Sequence, residues 1–141
     1  VRINIEMDGI AALSRQLAEL AGDADAVMTE VVTNLAVDTQ REAVQGIQRG
    51  PATGAVRPDG SRASAPGEYP MSDTGRLANN VVANLPTSGN ISAEVGTNVQ
   101  YGRYLEFGTS RMAARPWLLP SFNKAKAGVE GKLKRAIERA L

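Results

Sequence analysis

Glu106 is the carboxylate best placed to do chemistry in this chain, because it is set among aromatic side chains in Tyr104-Leu105-Glu106-Phe107-Gly108. A desolvated glutamate there could serve as a general base. The position suits a structural carboxylate better, one that pairs with a nearby cation or amide, with Arg111 or Arg115 as the candidate cation. Composition removes most other chemistry. The 141 residues include no cysteine and no histidine, which eliminates disulfides, thiolate nucleophiles, imidazole bases and the two commonest zinc ligands. No Walker loop, dinucleotide fingerprint or Gly-x-Ser-x-Gly elbow occurs. No catalytic, cofactor-binding or metal-binding residue is expected, and the chain reads as a protein that is not an enzyme.

Two further features can be read either way. Trp117, the single tryptophan, sits between Pro116 and Leu118, where an indole packs in a core or anchors a subunit contact; core packing is the expectation. Lys124, Lys126, Lys132, Lys134, Arg135 and Arg139 make the C-terminal segment basic, and a nucleic-acid-binding module built on that helix is the alternative function. The six are spread between apolar positions, which suits a solvated or subunit-facing surface. Two phenylalanines, three tyrosines and one tryptophan also supply few platforms for stacking bases.

The elements that must position these residues are legible from periodicity. Val1, Ile3, Ile5 and Met7 alternate with Arg2, Asn4 and Glu6, the pattern of a half-buried strand broken at Asp8-Gly9. Ile10, Leu13, Leu17 and Leu20 mark an amphipathic helix stopping near Gly22. Asp23 or Asp25 can cap a longer helix to about Gln48, with Met28, Val31, Val32, Leu35, Thr39, Ala43 and Ile47 on one side. From Gly50 to Asp73 proline and glycine predict a long loop without regular structure or internal hydrogen-bond ladder. Asp73-Thr74-Gly75-Arg76-Leu77 then leads into a hairpin: Val81, Ala83 and Leu85 alternate, residues 86–90 turn, and Ile91, Ala93 and Val95 alternate back. Tyr101, Tyr104 and Leu105 suggest a short helix closed by Gly108. After Arg115-Pro116-Trp117 a last helix carries Leu118, Phe122, Ala125, Val129, Leu133, Ile137 and Leu141, with Pro120 in its first turn. This order predicts an α+β fold: a small, mainly antiparallel sheet packed against helices, with a long extended loop, in one domain spanning residues 1–141.

An apolar fraction of 43% with 22% charged residues suits a soluble globular protein. No apolar run approaches the ~20 residues that cross a bilayer, and residues 1–7 lack the apolar core of a secretory signal. Synthesis in the cytoplasm and no membrane partner are the expectations. Charge is graded along the chain: residues 1–49 carry eight acids against four bases, residues 111–141 eight bases against two acids. Such polarity suits head-to-tail contact between copies.

The segment from Val95 to Thr109, with Tyr101-Gly102-Arg103-Tyr104-Leu105-Glu106-Phe107-Gly108-Thr109, is followed at close spacing by Ala114-Arg115-Pro116-Trp117-Leu118-Leu119-Pro120. Together they resemble the signature of the phage morphogenesis family of neck, head-tail connector and tail-completion proteins of lambda-like long-tailed bacteriophages. Ala65-Pro66-Gly67-Glu68-Tyr69-Pro70 and Asp73-Thr74-Gly75-Arg76-Leu77 are a weaker match to the same family. The resemblance covers the C-terminal two-thirds of the chain; residues 1–49 match in pattern only, and Trp117 stands where phenylalanine is more familiar.

The resemblance implies a virion protein of the neck, made in the host bacterium, which self-associates into a cyclic ring and joins head to tail without a catalytic step. A six-fold ring matches the tail, DNA passes through it without sequence-specific binding, and the other partners are neck, head-completion and tail proteins. On that reading the motif residues are fold staples. Tyr101 and Tyr104 bury their rings, Phe107 and Thr109 belong to the motif, and Gly108 allows a turn. Glu106 binds an arginine such as Arg115 or exposed amides, Pro116 starts the last helix, and Trp117 packs behind it. The loop at about 50–73, with Pro66, Gly67 and Pro70, becomes an assembly arm that orders only on a neighbouring subunit. Tyr69 would be its anchor, and Arg57 and Arg62 its partners for acidic groups.

Overall fold

Alternation at the start of the chain yields β1 (Arg2–Ile5), in which Ile3 is half-buried while Arg2 and Asn4 face outward. The computed structural model describes residues 1–5, 11–71 and 74–140. The expected reach of β1 to Met7, the break at Asp8-Gly9, Ile10, Asp73 and Leu141 lie outside the described residues. β1 pairs antiparallel with β3 (Ala93–Gly96), Ile3 opposite Val95. On the other side of β3 runs β2 (Val82–Asn84), Ala83 opposite Val95, so the strand order is β1-β3-β2 and β2–β3 is the expected hairpin. Val81 is buried and Ala83 half-buried as the alternation requires, but Leu85 is exposed because β2 ends at Asn84.

Helix α1 (Ala11–Ala21) stops at Gly22, whose φ of +81° lets its N–H reach the Ala18 carbonyl at 2.9 Å. Asp23 then caps α2 (Ala24–Arg49), its carboxylate accepting from the Ala26 N–H at 3.1 Å. Along α2 Val31, Val32, Leu35, Thr39, Ala43 and Ile47 are buried as the spacing predicts, while Met28 on the same side is only half-buried. Thr39 is tolerated there because its hydroxyl donates to the Leu35 carbonyl at 2.6 Å. A four-residue helix, α3 (Arg76–Asn79), occupies the stretch read as leading directly into the hairpin. Thr74 Oγ1 accepts from the Arg76 N–H, and the Asn80 amide donates to the Arg76 carbonyl at 2.7 Å, which closes the turn. Helices α4 (Gln100–Phe107) and α5 (Leu119–Ala140) complete the chain, with Pro120 in the first turn of α5 and Ala125, Val129, Leu133 and Ile137 buried along it. α1, α2 and α5 pack on one another, and α2 also covers the sheet; Val32, Leu35, Val95, Trp117 and Leu118 meet at the centre. The architecture is α+β, a small antiparallel sheet under helices, as the sequence implies.

The segment after α2 corrects the expectation of a loop without internal hydrogen bonds. Gly54 N–H donates to Ala63 O (2.8 Å), Ala63 N–H to Ala55 O (2.9 Å) and Arg57 N–H to Ser61 O (2.7 Å), with Val56 bridged to Arg62. Arg57-Pro58-Asp59-Gly60 forms the turn of this small ladder: proline presets the second position, and Gly60 takes a φ of +88° at the fourth. The Asp59 carboxylate accepts from the Ser61 hydroxyl and N–H, which hold it below the usual carboxylate range. Turn chemistry outweighs the proline and glycine content that argued for irregularity.

Candidate assembly interface

The motif between Val95 and Pro120 builds one device. Glu106 lies on α4 with its carboxylate turned inward, 8% exposed, against the first turn of α5. Its Oε2 accepts from the N–H groups of Trp117 and Leu118, both at 2.8 Å, and its Oε1 from that of Leu119 at 3.0 Å. A helix N-terminus leaves its first amides without intrahelical partners and carries partial positive charge, so a remote carboxylate substitutes for the missing cap. The sequence expectation offered a cation or amides as the partner of Glu106. The structure selects the amides; neither Arg111 nor Arg115 is its partner.

Gly108 closes α4 with φ +73° and ψ 176°, a conformation essentially restricted to glycine, and donates its N–H to the Tyr104 carbonyl at 2.8 Å. A methyl group there would lie 2.9 Å from both Ala114 N and Met112 O. Thr109 and Met112 bridge the following turn, where Thr109 Oγ1 also accepts from the Arg111 N–H. Trp117 is fully buried, and its indole N–H donates to the Gly102 carbonyl at 2.9 Å. Gly102 leaves room for this: a side-chain carbon would come within 2.7 Å of Thr97 Cγ2. Pro116, half-buried, precedes the helix that begins at Leu119.

Tyr101 and Tyr104 do not bury their rings as the resemblance implies, and Phe107 beside them is still more exposed. Tyr101 is 38% exposed, Tyr104 44% and Phe107 69%. The inner face of this eight-residue helix is occupied by Gly102 and Glu106, which serve Trp117 and α5, so the rings turn outward. Beside them a cavity of about 430 Å³ is lined by apolar Ile47, Pro70, Met71, Leu77, Tyr101 and Leu105 together with Thr74, Gly75 and Arg76.

The two motif blocks that are distant in sequence meet in space. Arg115 donates through Nε and Nη2 to the carbonyl of buried Ser64 (3.2 and 3.1 Å), its N–H goes to Leu105 O, and Gly67 N–H donates to Ala114 O at 2.9 Å. Glu68 gathers the base of the loop by accepting from the Ala65 N–H at 2.8 Å and from the N–H and hydroxyl of Thr53. These bonds, the Thr53 hydroxyl first, hold its carboxyl below the usual range. Tyr69 is turned onto its own chain: its hydroxyl meets Ser121 Oγ at 3.0 Å, its ring lies against Gly46, and Lys124 Nζ sits 4.9 Å from the ring centre. Pro70 is buried and Pro66 exposed. The reading of Tyr69 as an anchor on a neighbour is therefore corrected, because the glycine on α2 and Ser121 on α5 offer its ring and hydroxyl a site within the chain. Arg62 donates to Gly54 O, and the half-buried Arg57 stands at the hairpin turn. Ser64, Glu68, Gly102 and Ser121 were not singled out from sequence. Glu68, in Ala65-Pro66-Gly67-Glu68-Tyr69-Pro70, and Gly102, in Tyr101-Gly102-Arg103-Tyr104, carry a signal through the motif blocks; Ser64 and Ser121 carry none.

The charge gradient does not become two opposite poles, because basic α5 packs beside acidic α2, where Lys132 pairs with Asp38 at 3.7 Å. Lys134 pairs with Glu130 along α5 and Lys124 covers Tyr69, so the basic residues do not form one free stripe. Among the described residues no group of three or more acidic side chains is placed to hold a metal ion, and no helix is long and apolar enough to cross a membrane.

The fold is thus a small α+β unit whose signature residues lock one helix end and turn aromatic rings outward. A family model described as "Bacteriophage HK97-gp10, putative tail-component" matches residues 11–108, from α1 through Gly108. The chain belongs to this family of phage tail components, and is thus a structural protein of bacteriophage. No curated protein and no solved structure matches it.

Proposed function

We propose that the chain is a ring-forming component of the neck of a long-tailed phage, joining head and tail around the path of the DNA. The observation that carries this reading is the family match over residues 11–108. The outward aromatic surface of α4 supports it, since exposed apolar residues grouped on one face mark contact surfaces. In the proposal the subunits close by heterologous contacts into a ring, six-fold to fit the tail, bind head-completion and tail proteins on its two sides, and perform no catalytic step. The chain forms one domain, and the loop at 50–73 contributes its hairpin tip, with Arg57 and Arg62, to a neighbouring subunit or ring. Its base stays on its own subunit.

The test is a phage carrying a disrupted copy of the gene. Filled heads and complete tails should accumulate unjoined, and supplying the protein should restore infectious particles. Normal yields without the protein would refute the connector role. Native mass spectrometry of purified necks addresses the ring, and finding only an isolated two-fold dimer would rule it out.

A further inference from the structure

The surface left by the Glu106 clamp has a counterpart elsewhere on the same molecule. At about 100° per residue, Arg103, Phe107, Tyr104 and Tyr101 follow one another around the outer half of α4. All four are exposed, as is Arg111 in the turn beyond. Glu106, the one acid of α4, is turned inward onto the amides of α5. The outer face is therefore aromatic and cationic, and among the described residues neither Arg103 nor Arg111 makes an ion pair.

At the other end of α2 lies an open groove of about 810 Å³ between the helix start and the β2–β3 turn. Its walls carry Asp23, Asp25 and Glu30, its lining includes apolar Ala26, Pro86 and Ile91, and no lysine or arginine lines it. Asp25 and Glu30 are exposed and without ion pairs among the described residues. Ile47, which lines the cavity beside Tyr101, stands seventeen residues along α2 from Glu30, or roughly 26 Å at a helical rise of about 1.5 Å per residue. An aromatic, cationic face and an acidic groove with apolar patches thus sit near opposite ends of the longest helix. No single subunit can bring them together.

We propose that the outer face of α4, with Arg103, Tyr104, Phe107 and Arg111, docks into the Asp23, Asp25 and Glu30 groove of a second copy of this chain. The contact is heterologous, since each subunit offers a different surface on each side, and repetition of such a contact closes a ring when the rotation permits. The charges select partner and register while the rings supply contact area. The inference rests on the ring reading above and specifies its subunit interface.

Two full-length variants test it. One carries Asp25→Lys with Glu30→Lys, the other Arg103→Glu with Arg111→Glu; circular dichroism and thermal melting establish that both remain folded. Each variant alone places like charges across the contact and should lose ring signal in native mass spectrometry by roughly tenfold or more. Mixed in equal amounts they should recover it, in alternating rings with an even subunit count. Phe107→Ser, at an exposed position, should weaken assembly without lowering the melting temperature. Rings from either charge variant at the wild-type level, or folded variants that fail to associate on mixing, would overturn the proposal. A wild-type chain that never closes a ring refutes the ring reading instead, and the contact then stands or falls on whether the two variants bind each other.

Discussion

Replacing Glu106 tests whether α4 holds the start of α5. The carboxylate accepts three N–H bonds, two of them from the buried residues Trp117 and Leu118. Glu106→Ala leaves those donors without an acceptor, at about 1–3 kcal/mol for each buried group. It also removes negative charge from a helix N-terminus, worth roughly 0.3–2 kcal/mol. The combined loss is about 2–8 kcal/mol if little water enters, and Tm falls by roughly 8–27 °C for a chain of this size. Glu106→Gln keeps one oxygen for Trp117 and Leu118 but turns its amide NH₂ toward the Leu119 N–H. It loses one bond and the charge, about 1–2 kcal/mol, and a Tm decrease of roughly 3–8 °C. Denaturant unfolding followed by tryptophan fluorescence reads the event where it occurs, since the only tryptophan is itself bonded to Glu106. Both variants lying within about 0.5 kcal/mol of wild type would refute the clamp.

Gly108→Ala should destabilise by about 2–4 kcal/mol, because a strained backbone conformation combines with overlap against Met112 and Ala114; an unchanged denaturation midpoint would show that the turn relaxes freely. Glu68 has its carboxyl held below its ordinary 4.5 by bonds from Thr53 and Ala65, so its contribution is complete above that value and disappears as pH falls through the lowered folded value. Amide protection at Thr53 and Ala65, corrected for intrinsic exchange, should fall across that acidic window in wild type and stay flat in Glu68→Gln; equal protection on both sides of the window in wild type would contradict it.

The elements with local causes were readable in the chain itself. Asp23 ahead of a 26-residue amphipathic pattern, Gly22 before it and Pro120 at the start of α5 each act within one turn, and the structure places each where that chemistry requires. Non-local choices were not readable. Nothing in residues 2–5 says that their partner is β3, and nothing near Glu106 says that its oxygens reach amides eleven to thirteen residues later. The loop departs from expectation for a different reason: the turn formed by Arg57-Pro58-Asp59-Gly60 outweighs overall proline and glycine content. The small hairpin and the seat of Tyr69 on Gly46 and Ser121 were missed together.

Sequence and structure diverge most at α4, and the cause bears on function. Aromatic side chains ordinarily go inside because they remove the most apolar area from water. Here Trp117 already fills the space beneath the helix, which leaves room only for Gly102, and the start of α5 demands an acceptor, which places Glu106 inward. Two of the eight positions on α4 are thus committed to holding the C-terminal helix, and the rings are displaced to the solvent side. Changes on the inner side, at Gly102, Glu106 or Gly108, should therefore lower stability and impair assembly only through it. Changes on the outer side, at Arg103, Tyr104 or Phe107, should leave melting unaltered and act on association alone. Measuring both quantities across these six positions separates the two faces; a Phe107 variant that melts early while assembling normally would mean that the ring packs within its own subunit.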